Sequence, residues 1–274
     1  MKHVISLGAG VQSSTMALMA SHCEIEPMPE LAIFADTGWE PKRVYEWLNS
    51  LEKWLTFPVV RVQKGNLRAE QVSARVRGHK ADGDRWASLP YFTYGENGTG
   101  KVKRQCTSEY KIQPIEFYLR RTVMGLAKGQ RASRTPVITQ WRGISIDEAS
   151  RMKPSREPWM IVRYPLAMEH SMSRHDCLIW MQRHGYPEPP RSACIGCPFH
   201  HNDEWRRMKI ETPDEFQDAV EFDAAIRKAG GMRGETFLHR SCKPLGEIDF
   251  SNDVDRGQRL LSDWVGECEG MCGL

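Results

Sequence analysis

Two short stretches hold most of the chemistry this sequence can do. In Ser192-Ala193-Cys194-Ile195-Gly196-Cys197-Pro198-Phe199-His200-His201, two thiols stand three residues apart, with a glycine between them to relieve the bend. Thiolates at that spacing reach one metal centre, and a proline directly after the second leads the chain away from it. The spacing admits an iron–sulfur cluster, a zinc site completed by His200 or His201, a dithiol redox pair, or an inert pair. The other stretch follows the apolar run Val4-Ile5-Ser6-Leu7: Gly8-Ala9-Gly10-Val11-Gln12-Ser13-Ser14 passes directly into the helix formers Met16-Ala17-Leu18-Met19-Ala20. A strand, a small-residue loop and a helix start aim several backbone N–H groups at one anion, with the helix dipole behind them. Glycine and alanine let a phosphate approach the backbone, and Ser13 and Ser14 offer hydroxyls. The loop lacks the Gly-Lys-Ser/Thr ending of a Walker loop and the third glycine of a dinucleotide fingerprint, which leaves a different kind of phosphate loop.

These residues need elements to position them. Apolar β-type runs at 4–7, 31–35, 58–62 and 136–141 are each followed by a helix-like segment, starting near Ser13 and then at 44–54, 67–76 and 147–151. This alternation predicts an α/β fold, a doubly wound, mostly parallel sheet with helices on both faces and ligands at the carboxyl ends of the strands. At such ends stand Asp36-Thr37-Gly38, which offers a carboxylate, a hydroxyl and a flexible backbone, and Arg142-Gly143 with Asp147, Glu148 and Arg151 beyond. Arg104, Cys106 and Lys111 gather near the start of a further helix. From 78 to 103 the pattern lapses into glycines and aromatics, which reads as a lid or binding loop. Past 163, helix-like stretches at 174–184, 203–210 and 214–228 flank the cysteine turn and predict a smaller helical, cysteine-containing C-terminal lobe. The expected division is therefore 1–163 for the nucleotide domain, lid loop included, and 164–274 for the lobe. Glu215, Asp218, Glu221 and Asp223 read as the solvated face of a helix.

The bulk numbers narrow the class. With 274 residues, 40% hydrophobic and 27% charged, the chain can bury a full core. A net charge of +3 argues against a general nucleic-acid binder, though it allows a local basic groove. No stretch approaches the roughly 20 apolar residues of a membrane span, and no long apolar leader opens the chain. The expectation is a cytoplasmic protein with no membrane partner, whose eight cysteines are thiols, metal ligands or redox groups rather than disulfides.

Taken together, the motifs resemble the PP-loop ATP pyrophosphatase superfamily (adenine nucleotide alpha hydrolase-like), and within it the phosphoadenosine-phosphosulfate (PAPS) reductase-like branch. That family's Ser-Gly-Gly loop corresponds to Gly8–Ser14, its Asp-Thr-Gly to Asp36, Thr37 and Gly38, and its Cys-Thr-x-x-x-Lys-x-x-Pro to Cys106, Thr107, Lys111 and Pro114. Its glycine segment before an arginine corresponds to Gly143, Ile144, Asp147, Glu148 and Arg151, so that the resemblance runs in order from Val4 to about Phe199. It implies that Gly8, Ala9, Gly10, Val11, Gln12, Ser13 and Ser14 bind the phosphates of an adenine nucleotide, with Asp36, Thr37, Gly38 and Gly143 beside them. Asp36 would hold Mg²⁺ or the ribose, and Arg142 and Arg151 would steady developing charge. Val11-Gln12 replaces the family's Lys-Asp, so Arg104, Lys111, Arg142 or Arg151 must supply cations to ATP.

The resemblance also implies a [4Fe–4S] cluster held by Cys106, Cys194 and Cys197. Cys177 is the candidate fourth ligand, unless the fourth iron stays open for sulfide. Near the end of the chain, Cys268 is a candidate sulfur or electron relay. The implied function is an ATP-using enzyme, similar to the iron–sulfur DNA phosphorothioation and thiolation enzymes. It adenylates an acceptor oxygen, releases pyrophosphate, and lets sulfur displace AMP. The partners would be a nucleic acid substrate and a cysteine desulfurase or other sulfur donor. Two other readings stand beside it: a sulfonucleotide (PAPS) reductase, and a non-catalytic nucleotide- or nucleic-acid-binding protein with a structural metal.

Overall fold

The computed structural model describes residues 1–76, 89–96, 98–228 and 234–251. Its strands are β1 (Lys2–Leu7), β2 (Leu31–Asp36), β3 (Val59–Gln63), β4 (Phe92–Gly95), β5 (Gly98–Lys101), β6 (Ile138–Arg142), β7 (Met160–Arg163) and β8 (Glu235–Phe237). Five of them form a parallel sheet in the order β3-β2-β1-β6-β7. The chain winds outward from β1 to β3, then returns to the other side of β1 for β6 and β7. The winding therefore reverses between β1 and β6, and a sheet of this kind opens a crevice at the carboxyl ends of the two strands flanking such a reversal.

Alternation along the strands fills both faces. Ile5, Leu7, Ala32, Phe34 and Trp141 share one core with α1 (Val11–Ser21), α2 (Lys42–Trp54) and α6 (Arg174–Arg183). Val4, Ile33, Ala35, Ile138 and Met160 face the other way, onto Ile115 and Leu119. Ile115 lies on α4 (Gln113–Tyr118), which is flanked by π-helical turns at Thr107–Ile112 and Leu119–Val123. Helix α1 has no charged side chain and is buried almost all round, because both the sheet and α6 cover it. The sheet is thus doubly wound, as the alternation of runs predicts.

The chain forms two compact units that are discontinuous in sequence. The first comprises Met1–Asp36, Lys42–Lys64 and Tyr110–Ser192; the second comprises the described residues of Thr37–Pro41, Gly65–Glu109 and Ala193–Leu274. These are not the linear pieces 1–163 and 164–274. The short α5 (Pro165–Met168) and α6 belong with the parallel sheet because Leu166, Cys177, Trp180 and Met181 complete its core.

The second unit carries α3 (Leu67–Val76), α7 (Asn202–Glu211) and α8 (Pro213–Ile226), and also an antiparallel sheet ordered β5-β4-β8. The lobe is therefore not purely helical. Part of the region read as a lid loop is instead the β4–β5 hairpin, in which Phe92 faces Lys101 and Gly95 faces Gly98. The rest of that loop, 78–88 and Asn97, lies outside the described residues. The carboxylates expected on a solvated face of α8 divide: Asp218 pairs with Arg68 of α3 at 2.7 Å, while Asp223 is fully buried and accepts hydrogen bonds from the N–H groups of Leu238 and Leu245. Among the described residues, no helix is long and apolar enough to cross a membrane.

Candidate functional site

In the first unit, β1 ends at Leu7 and α1 starts at Val11, leaving three residues to turn the chain. Ala9 takes a left-handed backbone (φ 56°), a conformation a Cβ normally resists, and Gly10 is extended as the helix cap. Ser13 closes the loop: the N–H of Gly8 donates to its Oγ at 3.1 Å, and its hydroxyl donates to the carbonyl of Gly10 at 3.3 Å. No side chain caps α1 and its first turn carries no carboxylate, so the positive end of its dipole has no anionic side chain of its own. Ser14 lies beneath the loop rather than on it: it is fully buried, and its Oγ accepts from Trp47 Nε1 at 2.9 Å.

The segment after β6 meets this loop. A Cβ placed on Gly143 would stand 2.6 Å from Ser13 Cα and 2.7 Å from Ser13 N, so only glycine allows the two backbones to pack. Gln12 Nε2 adds a long contact to Ser145 Oγ at 3.5 Å. Asp36, at the end of β2, is half-buried and accepts a hydrogen bond from Tyr45 Oη at 2.8 Å. Arg142 points to the α4 face, where it donates to Gln140 Oε1 at 3.0 Å and bonds Tyr164; burial holds its pKa below the usual arginine range. On the same face, burial beside Glu157 raises the Glu116 carboxyl. Arg151 is paired with the buried Glu148, and Lys111 is half-buried in the π-helical turn before α4.

Cys177 also belongs to this unit. It is fully buried in the apolar core beside Thr15, and that burial pushes its thiol up to about 12. The candidate fourth ligand is thus packed as a core residue of this unit.

The second unit builds the cysteine site. The Cys194-to-Cys197 turn is closed by the N–H of Cys197 donating to Cys194 O at 3.1 Å, and both thiols are buried. The loop that follows Asp36 grips this turn. Ile195 N–H donates to Trp39 O at 3.0 Å, and Gly196 lies so close beneath the Trp39 ring that a Cβ would come within 2.0 Å of it. Trp39 is fixed in turn by donating from Nε1 to Asp218 Oδ2 at 2.6 Å. The Thr37 hydroxyl donates to Glu40 Oε1 at 3.0 Å and lies 3.3 Å from Cys194 Sγ, which is itself 3.6 Å from the same carboxylate oxygen. Thr37, expected beside the nucleotide, thus touches the cysteine turn. Gly38 is left-handed (φ 69°), and its carbonyl accepts from Asn66 at 2.8 Å. Cys106 is half-buried in this unit, and Arg104 lies over the Phe199 ring at 5.8 Å, two residues past Cys197. Cys268 lies outside the described residues.

Each ring nitrogen of His200 faces an oxygen, Nε2 the carbonyl of Cys194 at 2.9 Å and Nδ1 the Glu204 carboxylate at 3.0 Å. Among the described residues, no group of three or more His, Cys, Asp or Glu stands where one ion would be held. Sequence reasoning missed Trp39, Glu40 and Asp218, whose roles depend on which turn packs on which; the small Gly196 between two cysteines was the available hint.

No family model matches the chain, and no curated protein matches it. Among solved structures it is similar to a phosphoadenylyl-sulfate (PAPS) reductase from Candida auris in its phosphate complex, at 12% identity over 69% of this chain and 75% of that one, with a TM-score of 0.42. It is also similar to the U34-tRNA thiolase NcsA from Methanococcus maripaludis with its [4Fe–4S] cluster, at 12% identity over 90% of this chain and 79% of that one, with a TM-score of 0.33.

Proposed function

We propose that this chain is a PAPS reductase-like PP-loop enzyme that uses ATP to activate an acceptor oxygen for sulfur transfer. The observation that carries the reading is the packing of Gly143 on Ser13, which brings two motif segments about 130 residues apart together at the crevice beside β1. The loop backbone at Gly8–Ser14 and the first turn of α1 hold the phosphates, since charge there meets aligned N–H groups and a helix dipole. Asp36, oriented by Tyr45, would hold Mg²⁺ or the ribose. Arg142 and Arg151 add a positive field, each from a position fixed by its own partners. The acceptor oxygen attacks the α-phosphorus, pyrophosphate leaves, and sulfur then displaces AMP. Cys106, Cys194 and Cys197 would hold a [4Fe–4S] cluster, and such a cluster supplies sulfide at an open iron. The acceptor in this reading is a nucleic acid, and a cysteine desulfurase or equivalent donor provides the sulfur.

The test is direct. Protein purified without oxygen should contain iron and acid-labile sulfide, and should release pyrophosphate from ATP in the presence of acceptor nucleic acid. Colourless protein containing zinc would remove the cluster. Sulfite release from PAPS, without pyrophosphate release from ATP, would replace the reading with a sulfonucleotide reductase. Nucleotide binding without either turnover would make the chain a sensor.

A further inference from the structure

From residue 117 to 146 the chain carries Arg120, Arg121, Lys128, Arg131, Arg134 and Arg142 but no carboxylate, although it has 35 acids in 274 residues overall. Arg142 is buried within the first unit, and Arg120 lies in the field of Glu116. Of the rest, Arg121 lies in the π-helical turn at Leu119–Val123, and Lys128, Arg131 and Arg134 stand on a formed loop between that turn and β6. Val123, Met124, Ala132 and Val137 pack against the core on the α4 face and fix both the ends and the middle of the loop. Between these anchors, Leu126 N–H donates to Arg120 O at 3.0 Å, Gln130 N–H to Ala127 O at 3.0 Å, and Ser133 Oγ to Thr135 O at 2.7 Å.

On this frame Lys128, Arg131 and Arg134 are exposed. On α4, the helix that precedes the loop, the Phe117 ring is 65% exposed, with the Arg121 guanidinium over it at 5.6 Å. Arg121 is pinned there by donating to Leu126 O at 2.9 Å. The loop lies at the amino ends of the strands, where the N–H of Lys2 donates to Val137 O, at the edge of the sheet opposite Gly8–Ser14. Nearby, Glu30 is paired with Lys2 at 3.6 Å.

We propose that residues 125–135, with Phe117 and Arg121, form a nucleic-acid-binding surface. Lys128, Arg131 and Arg134 neutralise phosphates of one strand, and the Phe117 ring, backed by Arg121, takes the face of a base. An arginine-rich cluster beside an exposed aromatic ring is what a phosphodiester chain with π-faced bases requires. A bilayer fits less well: there is one ring and no amphipathic helix, and each basic residue adds only a small increment of attraction to anionic lipid. A protein partner would need an apolar interface core, whereas Phe117 is the one large apolar side chain strongly exposed between 117 and 135 among the described residues. Because the loop lies at the far edge of the sheet, it grips a polymer and does not present the reacting atom, so the inference stands whether or not the chain adenylates anything.

Anisotropy of a labelled single strand of about 20 nucleotides, titrated with the full chain, tests the surface. Over about 50 to 200 mM salt, log affinity should fall linearly with log salt. The triple variant Lys128→Ala, Arg131→Ala, Arg134→Ala should reduce the steepness of that line by about 2, or about 0.7 for each phosphate that is no longer neutralised. Phe117→Ala should weaken binding roughly tenfold and leave the slope unchanged. No binding by the wild type at the lowest salt, or an unchanged slope in the triple variant, would overturn the proposal. So would binding to phosphatidylserine vesicles in place of the nucleic acid.

Discussion

At the residue scale, the glycine after β6 matters more than the hydroxyls of the loop. Gly143→Ala would push a methyl group into the backbone of Ser13, and neither strand nor helix can yield cheaply, so the loop itself has to shift. We expect the variant to keep its secondary structure by circular dichroism and to lose ATP binding in calorimetry; retained affinity would show that Gly143 does not shape the phosphate site. The cysteines separate in the same way. Cys194→Ala removes a buried thiol from the turn and should abolish iron incorporation. Cys177→Ala removes a core atom and should cost about 1 kcal/mol of stability while leaving the iron content of anaerobic protein intact. Iron loss in Cys177→Ala would restore it as a ligand. The sequence was readable at Gly8–Ser14 and at the cysteine turn because small residues and paired thiols constrain chemistry locally. It was not readable at Cys177, Ser14 or Thr37, because whether a side chain faces a core, a loop or a sulfur is decided by packing between segments distant in sequence.

At the scale of elements, the long apolar runs identified themselves and the short ones did not. β1, β2 and β6 bury residues on both faces, the pattern of a parallel sheet, while β3 stands at the edge with Arg61 and Gln63 exposed. β4 and β5 are four residues each, with three glycines between them, and show no alternation; the Asn97-Gly98 turn signal was all that marked the hairpin. Helix α8 looked solvated from its carboxylates, yet Asp223 is the buried anchor that receives the chain after β8. That returning segment contains His239, whose Nδ1 accepts the Ser241 N–H at 3.1 Å while Nε2 donates to Asn202 Oδ1 at 3.0 Å. A proton on Nδ1 would break the first of these bonds in a buried place beside Arg240, and burial foremost lowers the ring from its ordinary 6.5 to about 4. The unfolded chain therefore binds this proton more readily than the folded one between those values, so the stabilisation is complete above about pH 6.5 and is lost as pH falls toward 4. Urea midpoints measured from pH 7 to 4 should fall more steeply for the wild type than for His239→Gln; parallel curves would show that the ring titrates normally in the folded protein.

At the scale of the whole molecule, the two units are threaded through each other in sequence, the chain leaving the first after Asp36 and again after Lys64 and Ser192. The peptide bond between Asp36 and Thr37 is one of these crossings, and Thr37 lies 3.3 Å from Cys194 Sγ within the second unit. Such threading makes the cut that the sequence suggested, at 163, destructive. A fragment of 1–163 contains the whole parallel sheet but lacks α5 and α6, and therefore Leu166, Cys177, Trp180 and Met181. Without them α1 loses the layer that covers its outer side, and a helix with no charged side chain and nine of its eleven residues buried is poorly suited to present that side to water. Covering it again by rearrangement would need apolar surface that the fragment has already committed to the sheet. We expect the fragment to retain far-ultraviolet circular dichroism but to lose the near-ultraviolet signal of its buried tryptophans, to bind a hydrophobic dye and to unfold without a cooperative transition, the behaviour of a chain with secondary structure but no fixed packing. A cooperative thermal transition with native near-ultraviolet bands in 1–163 would mean that the sheet and α1 hold together without α6, and that the cut the sequence suggested marks an independently folding domain.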